Sequence, residues 1–131
     1  MATPARIIVH CSDAKWRNIY LHFDGHLCAA GAKLHHHYST QRAAEALVAM
    51  GGLSSLAQTL ASSEFFNRDL GRKLEILTRV TLDQAWADDE HDVAYTYLWH
   101  DGAWHGNESC EPMLRFNDAL IAGFSADEAA S

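Results

Sequence analysis

The feature that most constrains this chain is Asp101-Gly102, set between residues 93–99 and Ala103-Trp104-His105. Asp-Gly accepts left-handed backbone at both central positions of a two-residue turn, and the flanking residues alternate with period 2. A turn of that length fixes the register, with His100 opposite Ala103 and Trp99 opposite Trp104. Tyr95, Tyr97, Trp99 and Trp104 then share one face, where aromatic cross-strand pairs contribute about 0.5–1 kcal/mol each. That face is either core beneath helices or an exposed recognition surface anchored by Trp99 and Trp104. In the first case Ala94, Thr96, Leu98 and His100 make the outer side.

A second ribbon is expected at the N-terminus. Ile7, Val9 and Cys11 alternate with Ile8 and His10, Ser12-Asp13-Ala14-Lys15 is a polar turn, and Asn18 to Asp24 returns as a strand that Gly25 ends. On the return strand Ile19, Leu21 and Phe23 face one way, while Tyr20, His22 and Asp24 face the other. The period then changes. Leu27, Ala30, Leu34 and Tyr38 follow helical spacing, so residues 26–38 read as a helix. Ser39 or Thr40 caps a second helix over 41–50, which Gly51-Gly52 ends. Residues 53–60 read as a short helical segment, and 73–82, with Ile76, Thr78, Val80 and Leu82 alternating, as a strand. Pro112 fits the first turn of a last helix burying Met113, Phe116, Leu120 and Phe124. Residues 125–131 are expected to fray. This order predicts one α+β domain over 1–131, with an antiparallel sheet built from two hairpins plus a possible extra strand and helices packed on one face.

A chain of 131 residues can bury one core without metal or disulfide staples. No apolar run approaches the roughly 20 residues that cross a bilayer, and no long apolar stretch follows Met1, so a cytoplasmic protein without membrane contact is expected. Cys11, Cys28 and Cys110 are odd in number and widely spaced, which argues against a disulfide framework or a thiolate zinc site. A formal charge of −7 disfavours a direct nucleic-acid binder and suits a basic protein partner. Protonating the nine histidines would reverse the sign of that charge.

Several residues recur in an order that resembles a small protein family of tailed phages, prophages and mobile elements. Tyr20, His22, Asp24 and Gly25 match its opening Tyr-x-His-Trp-Asp-Gly element, followed by Gly31, Leu34 and Tyr38. Leu47, Gly51, Leu53, Ser54, Ser55 and Leu56 match its Ser-Ser-Leu stretch. Arg68, Asp69 and Gly71 match its Arg-Asp-x-Gly element, and Tyr95, Tyr97, Gly102 and Trp104 its late hairpin. The likeness covers about residues 5–105. It departs at Phe23, where Trp is usual, at His26, where Tyr is common, at Gly52, where an acid is, and at Asn67, where His or Tyr is typical. Arg72 stands where an acid is usual, so chemistry depending on that acid would be lost here. The resemblance implies a phage or mobile-element origin, without naming a reaction.

Three constellations remain. His22, Asp24 and His26, with His35-His36-His37 nearby, offer metal-ligand types. Gly25 is expected to turn the chain before His26, however, and successive helical positions diverge by about 100°, so at most one of the three histidines serves a given site. No metal or cofactor is therefore assigned. Arg68 and Asp69 are expected to meet the Tyr20/His22/Asp24 face as a polar cluster, read either as acid–base machinery or as an arginine–carboxylate bridge between loop and sheet. No Ser, Cys or Thr has an evident base beside it and no phosphate loop is present, so no catalytic residue is assigned. Asp88, Asp89, Glu90 and Asp92 form an acidic run that either solvates a loop or imitates nucleic-acid phosphates toward a basic host protein. The leading expectation is a monomeric or homodimeric accessory protein that inhibits a host protein or ribonucleoprotein complex by stoichiometric binding, most concretely an anti-CRISPR or other anti-defence inhibitor. Asp88, Asp89, Glu90, Asp92, Trp99 and Trp104 would form its contact surface. The alternative is an enzyme or metal-dependent small-ligand module using His22, Asp24, Arg68 and Asp69.

Overall fold

The computed structural model describes residues 3–65, 76–86, 93–108 and 112–123. Its elements are β1 (Ala5–His10), β2 (Trp16–Leu21), a π-helical turn (Leu27–Gly31), α1 (Ala32–His37), α2 (Gln41–Val48), β3 (Leu53–Ser55), β4 (Glu64–Phe65), β5 (Leu77–Arg79), α3 (Leu82–Trp86), β6 (Tyr95–His100), β7 (Ala103–Glu108) and β8 (Leu114–Arg115). A last helix occupies 118–123. The architecture is α+β, as expected.

Both ribbons form where the turn chemistry places them. Asp101 and Gly102 take φ +53° and +73°, and Trp99 pairs with Trp104 and His100 with Ala103. In the first ribbon Ala14 is left-handed, and Asp13 holds the turn by accepting from the Lys15 amide and from Nη1 and Nη2 of Arg17. The arginine beside it lowers the Asp13 carboxyl to about 2.

The sheet is mixed, not antiparallel. Its order is β4-β3-β2-β1-β6-β7-β8, with β5 also pairing β2. The two ribbons join through their first strands, which run parallel, with Ile7 opposite Tyr97 and Val9 opposite Trp99. β1 thus becomes a central strand covered on both sides, and Ile7, Ile8 and Val9 are all fully buried. Hairpin signals carry no information about which edges of two ribbons meet, so the parallel seam was not expected.

One sheet face packs against α1 and α2 through Ile7, Val9, Ile19, Leu21, Tyr97, Trp99 and Trp104. Leu27, Ala30, Leu34 and Tyr38 are buried along one side of the first helical stretch, as their spacing predicts. Thr40 caps α2 by accepting from the Ala43 amide, and Gly51, at φ +86°, follows its end. The other face is also covered, against expectation. Ile8, Trp16 and Leu98 pack there against Ala85 of α3, so helices lie on both sides of the sheet.

Three segments differ from their periodicity. Residues 53–55 are strand, because the Leu53 and Ser54 carbonyls accept from the His22 and Phe23 amides beside β2. A tertiary backbone partner there outweighs a weak helical spacing. The strand expected over 73–82 is confined to Leu77–Arg79, Leu82 opening α3; positions 73–75 lie outside the described residues. The last helix begins at 118 instead of Pro112. Leu114 and Arg115 pair with β7, and Asn117 caps the helix by accepting from the Leu120 amide.

Gly106 on β7 measures how tightly the two sides of the core fit. A Cβ there would sit 2.5 Å from Cδ1 of Tyr97 and 2.8 Å from Cζ of Phe116, both buried rings. Gly106→Ala is expected to destabilise by about 1–3 kcal/mol in urea unfolding. Gly123→Ala, with nothing within 4 Å, is expected to stay within about 0.5 kcal/mol of the parent or exceed it.

Candidate functional site

β2 carries Ile19 and Leu21 into the core and leaves Tyr20 on the opposite side, where His22, just past the strand end, joins it. The Tyr20 hydroxyl and His22 Nδ1 share a 2.8 Å hydrogen bond that fixes the imidazole plane. Burial raises the Tyr20 phenol pKa. Phe23 was expected to join Ile19 and Leu21. Instead β2 ends at Leu21, and the Phe23 ring stands edge-on to His22 at 4.4 Å, 43% exposed. Asp24 then takes φ +57° and projects to solvent. Gly25 turns the chain, as expected, because its amide donates to the Thr3 carbonyl and a Cβ would lie 2.5 Å from that oxygen. The result is a small cluster at a strand end in which a half-buried phenol and imidazole stand beside an exposed phenyl ring.

His26 does not join this cluster. Its Nε2 bonds to the Thr3 hydroxyl at 3.0 Å and its ring lies against Tyr95. The His22/Asp24/His26 trio is thus not a ligand set, since among the described residues only His35, His36 and Asp118 bring three metal-ligating atoms together. Arg68 and Asp69 lie outside the described residues, as do Asp88, Asp89, Glu90 and Asp92.

Trp99 and Trp104 are not a contact surface. They are 2% and 1% exposed and meet edge to face at 5.4 Å beneath the helices. Their indole N–H groups are engaged inward, Trp99 donating to Gln41 Oε1 and Trp104 to the Tyr38 carbonyl. The Tyr97 hydroxyl donates to the Gly25 carbonyl. Both tryptophans are therefore removed from the expected partner-binding set. Of the two readings of the aromatic face, the core reading holds.

The opposite face carries an aromatic row that sequence reasoning missed. His10 stacks on Trp16 with ring centroids 3.9 Å apart and planes 7° from parallel. His100 tilts against both, and His105 continues the row 6.2 Å from His100. Pairing His10 with Trp16 follows from the first ribbon's register. Bringing His100 beside them needs the parallel seam, which was not legible.

Comparisons with protein-family models, curated proteins and solved structures find no match to this chain.

Burial lowers the His105 pKa, and the nearby His100 and Arg115 act in the same direction. The folded chain therefore holds this imidazole neutral where the unfolded chain would protonate it. Stability from this residue is present above about pH 6.5 and is lost as pH falls toward the folded pKa. The urea midpoint is expected to be lower at pH 5.5 than at 7.5, and His105→Gln should narrow that gap.

Proposed function

We propose that this chain is a protein-binding module, an accessory protein of a tailed phage or mobile element that inhibits a host complex by occupying it one to one. Its most concrete form is inhibition of a CRISPR-type or other bacterial defence complex in the host cytoplasm. The reading is carried by the Tyr20/His22/Phe23 cluster, in which a hydrogen-bonded imidazole supports an exposed phenyl ring. Aromatic groups already held in one arrangement lose little conformational freedom on binding, the property that suits them to anchor an interface.

Two further features support it. The motif order from Tyr20 to Trp104 resembles a phage and prophage family. The formal charge of −7 favours a basic partner surface and speeds encounter with one. Among the described residues no helix is long and apolar enough to cross a membrane.

The test is affinity capture from a nuclease-treated bacterial lysate, followed by titration of the recovered complex. A stoichiometric protein partner is expected, and Phe23→Ser should weaken it at least tenfold, about 1.4 kcal/mol. Because Phe23 stands outside the core, the variant's melting curve should match that of the parent. Capture of no stoichiometric partner, or a partner indifferent to Phe23→Ser, would overturn the assignment.

A further inference from the structure

We propose that His35, His36 and Asp118 form a binding site for a divalent transition-metal ion of the zinc type, closing α1 onto the helix at 118–123. One ligand atom from each residue lies within 4.8 Å of the other two. His35 Nε2 and Asp118 Oδ1 are 2.8 Å apart, although 83 positions separate them in the chain. Ligands about 2.0–2.1 Å from a tetrahedral zinc stand roughly 3.3 Å from one another, so an ion would need only small side-chain shifts to enter.

Consecutive histidines on a helix diverge at Cβ, but the reach of an imidazole lets two ring nitrogens converge on a third group. Here His35 and His36 meet edge-on at 5.1 Å. Both helices are fixed from below. Leu34 and Tyr38 root the α1 side in the core, and Ile121 roots the other helix, which Asn117 caps. The ligands therefore project from anchored elements.

Two imidazoles and one carboxylate suit zinc, cobalt, nickel or copper, and suit calcium and magnesium poorly, since those ions take oxygen ligands. Three protein ligands leave a position open for water or for a group from another molecule. His36 is exposed and Asp118 is 93% exposed, so the open side faces solvent. The rival reading is a plain His35–Asp118 ion pair beside a histidine tract that chelates metals weakly by itself. Participation of Asp118 separates the two.

The experiment is calorimetric titration of untagged protein with zinc chloride at pH 7.5, paired with thermal melting. One ion per chain is expected, with a saturable rise in Tm because the ion binds only the folded arrangement. His35→Ala and Asp118→Asn should each weaken binding at least tenfold and abolish the Tm rise, while His37→Ala leaves both intact. The high exposure of Asp118 makes Asp118→Asn safe for folding, and His36→Ala, also exposed, gives a second variant with the same expected loss. No binding up to about 100 µM zinc, or binding that Asp118→Asn leaves unchanged, would overturn the site.

Discussion

The structure depends on three buried aromatic side chains whose polar ends are all spoken for. Tyr97, Trp99 and Trp104 are buried between sheet and helices, and each sends a hydrogen bond to a different part of the covering layer. Tyr97 reaches the turn at Gly25, Trp104 the end of α1 at Tyr38, and Trp99 the first residue of α2 at Gln41. Hydrophobic burial alone would let the helices slide over the sheet. A misplaced helix would leave a buried N–H or O–H without an acceptor, a loss of about 1–3 kcal/mol each. The apolar rings thus supply the drive to cover this face, and their donors specify where each helix begins and ends. Gln41 extends the arrangement, because its amide nitrogen donates to the His10 carbonyl at the end of β1.

How much of this was legible follows from where the information sits. Asp101-Gly102 states a two-residue turn locally, so the register of the second ribbon was readable to the residue. The Thr40 cap and the buried positions from Leu27 to Tyr38 were readable for the same reason. The parallel seam between β1 and β6 was not, because no local signal says which edges of two ribbons will meet. Ile7-Ile8-Val9 held a faint hint, since three consecutive apolar residues suit a strand covered on both sides better than one wet on one face. Residues 53–55 misled because their backbone partners come from β2, and the 112–117 stretch because Leu114 and Arg115 add a strand beside β7.

The candidate site divides in the same way. Tyr20 and His22 are two apart in a segment whose alternation reads as one strand, so their contact was foreseeable from spacing although β2 stops at Leu21. The outward turn of Phe23 was not, because alternation ceases to bind a side chain to one face once the strand ends. His35 and Asp118 meet only because α1 and the 118–123 helix cover the same layer, a tertiary coincidence that no window of sequence contains. The aromatic face of the second ribbon held both possibilities at once. Tryptophan and tyrosine serve cores and interfaces equally well, and only the helices lying over them decided the outcome.

The seam between β1 and β6 also bears on how the molecule is made. Ala5 pairs with Tyr95, so the innermost strand leaves the ribosome about ninety residues before its neighbour. At ordinary elongation rates that is an interval on the order of ten seconds, far longer than a hairpin takes to close. During that time the nascent first ribbon holds Ile7, Ile8 and Val9 without the strand that will cover their edge. Its exposed border is a template for pairing with other chains, and its protection falls to chaperones or to speed of synthesis. The centre of this sheet is thus laid down long before the strand that closes its open edge, and a pause in translation between the two would lengthen that exposure.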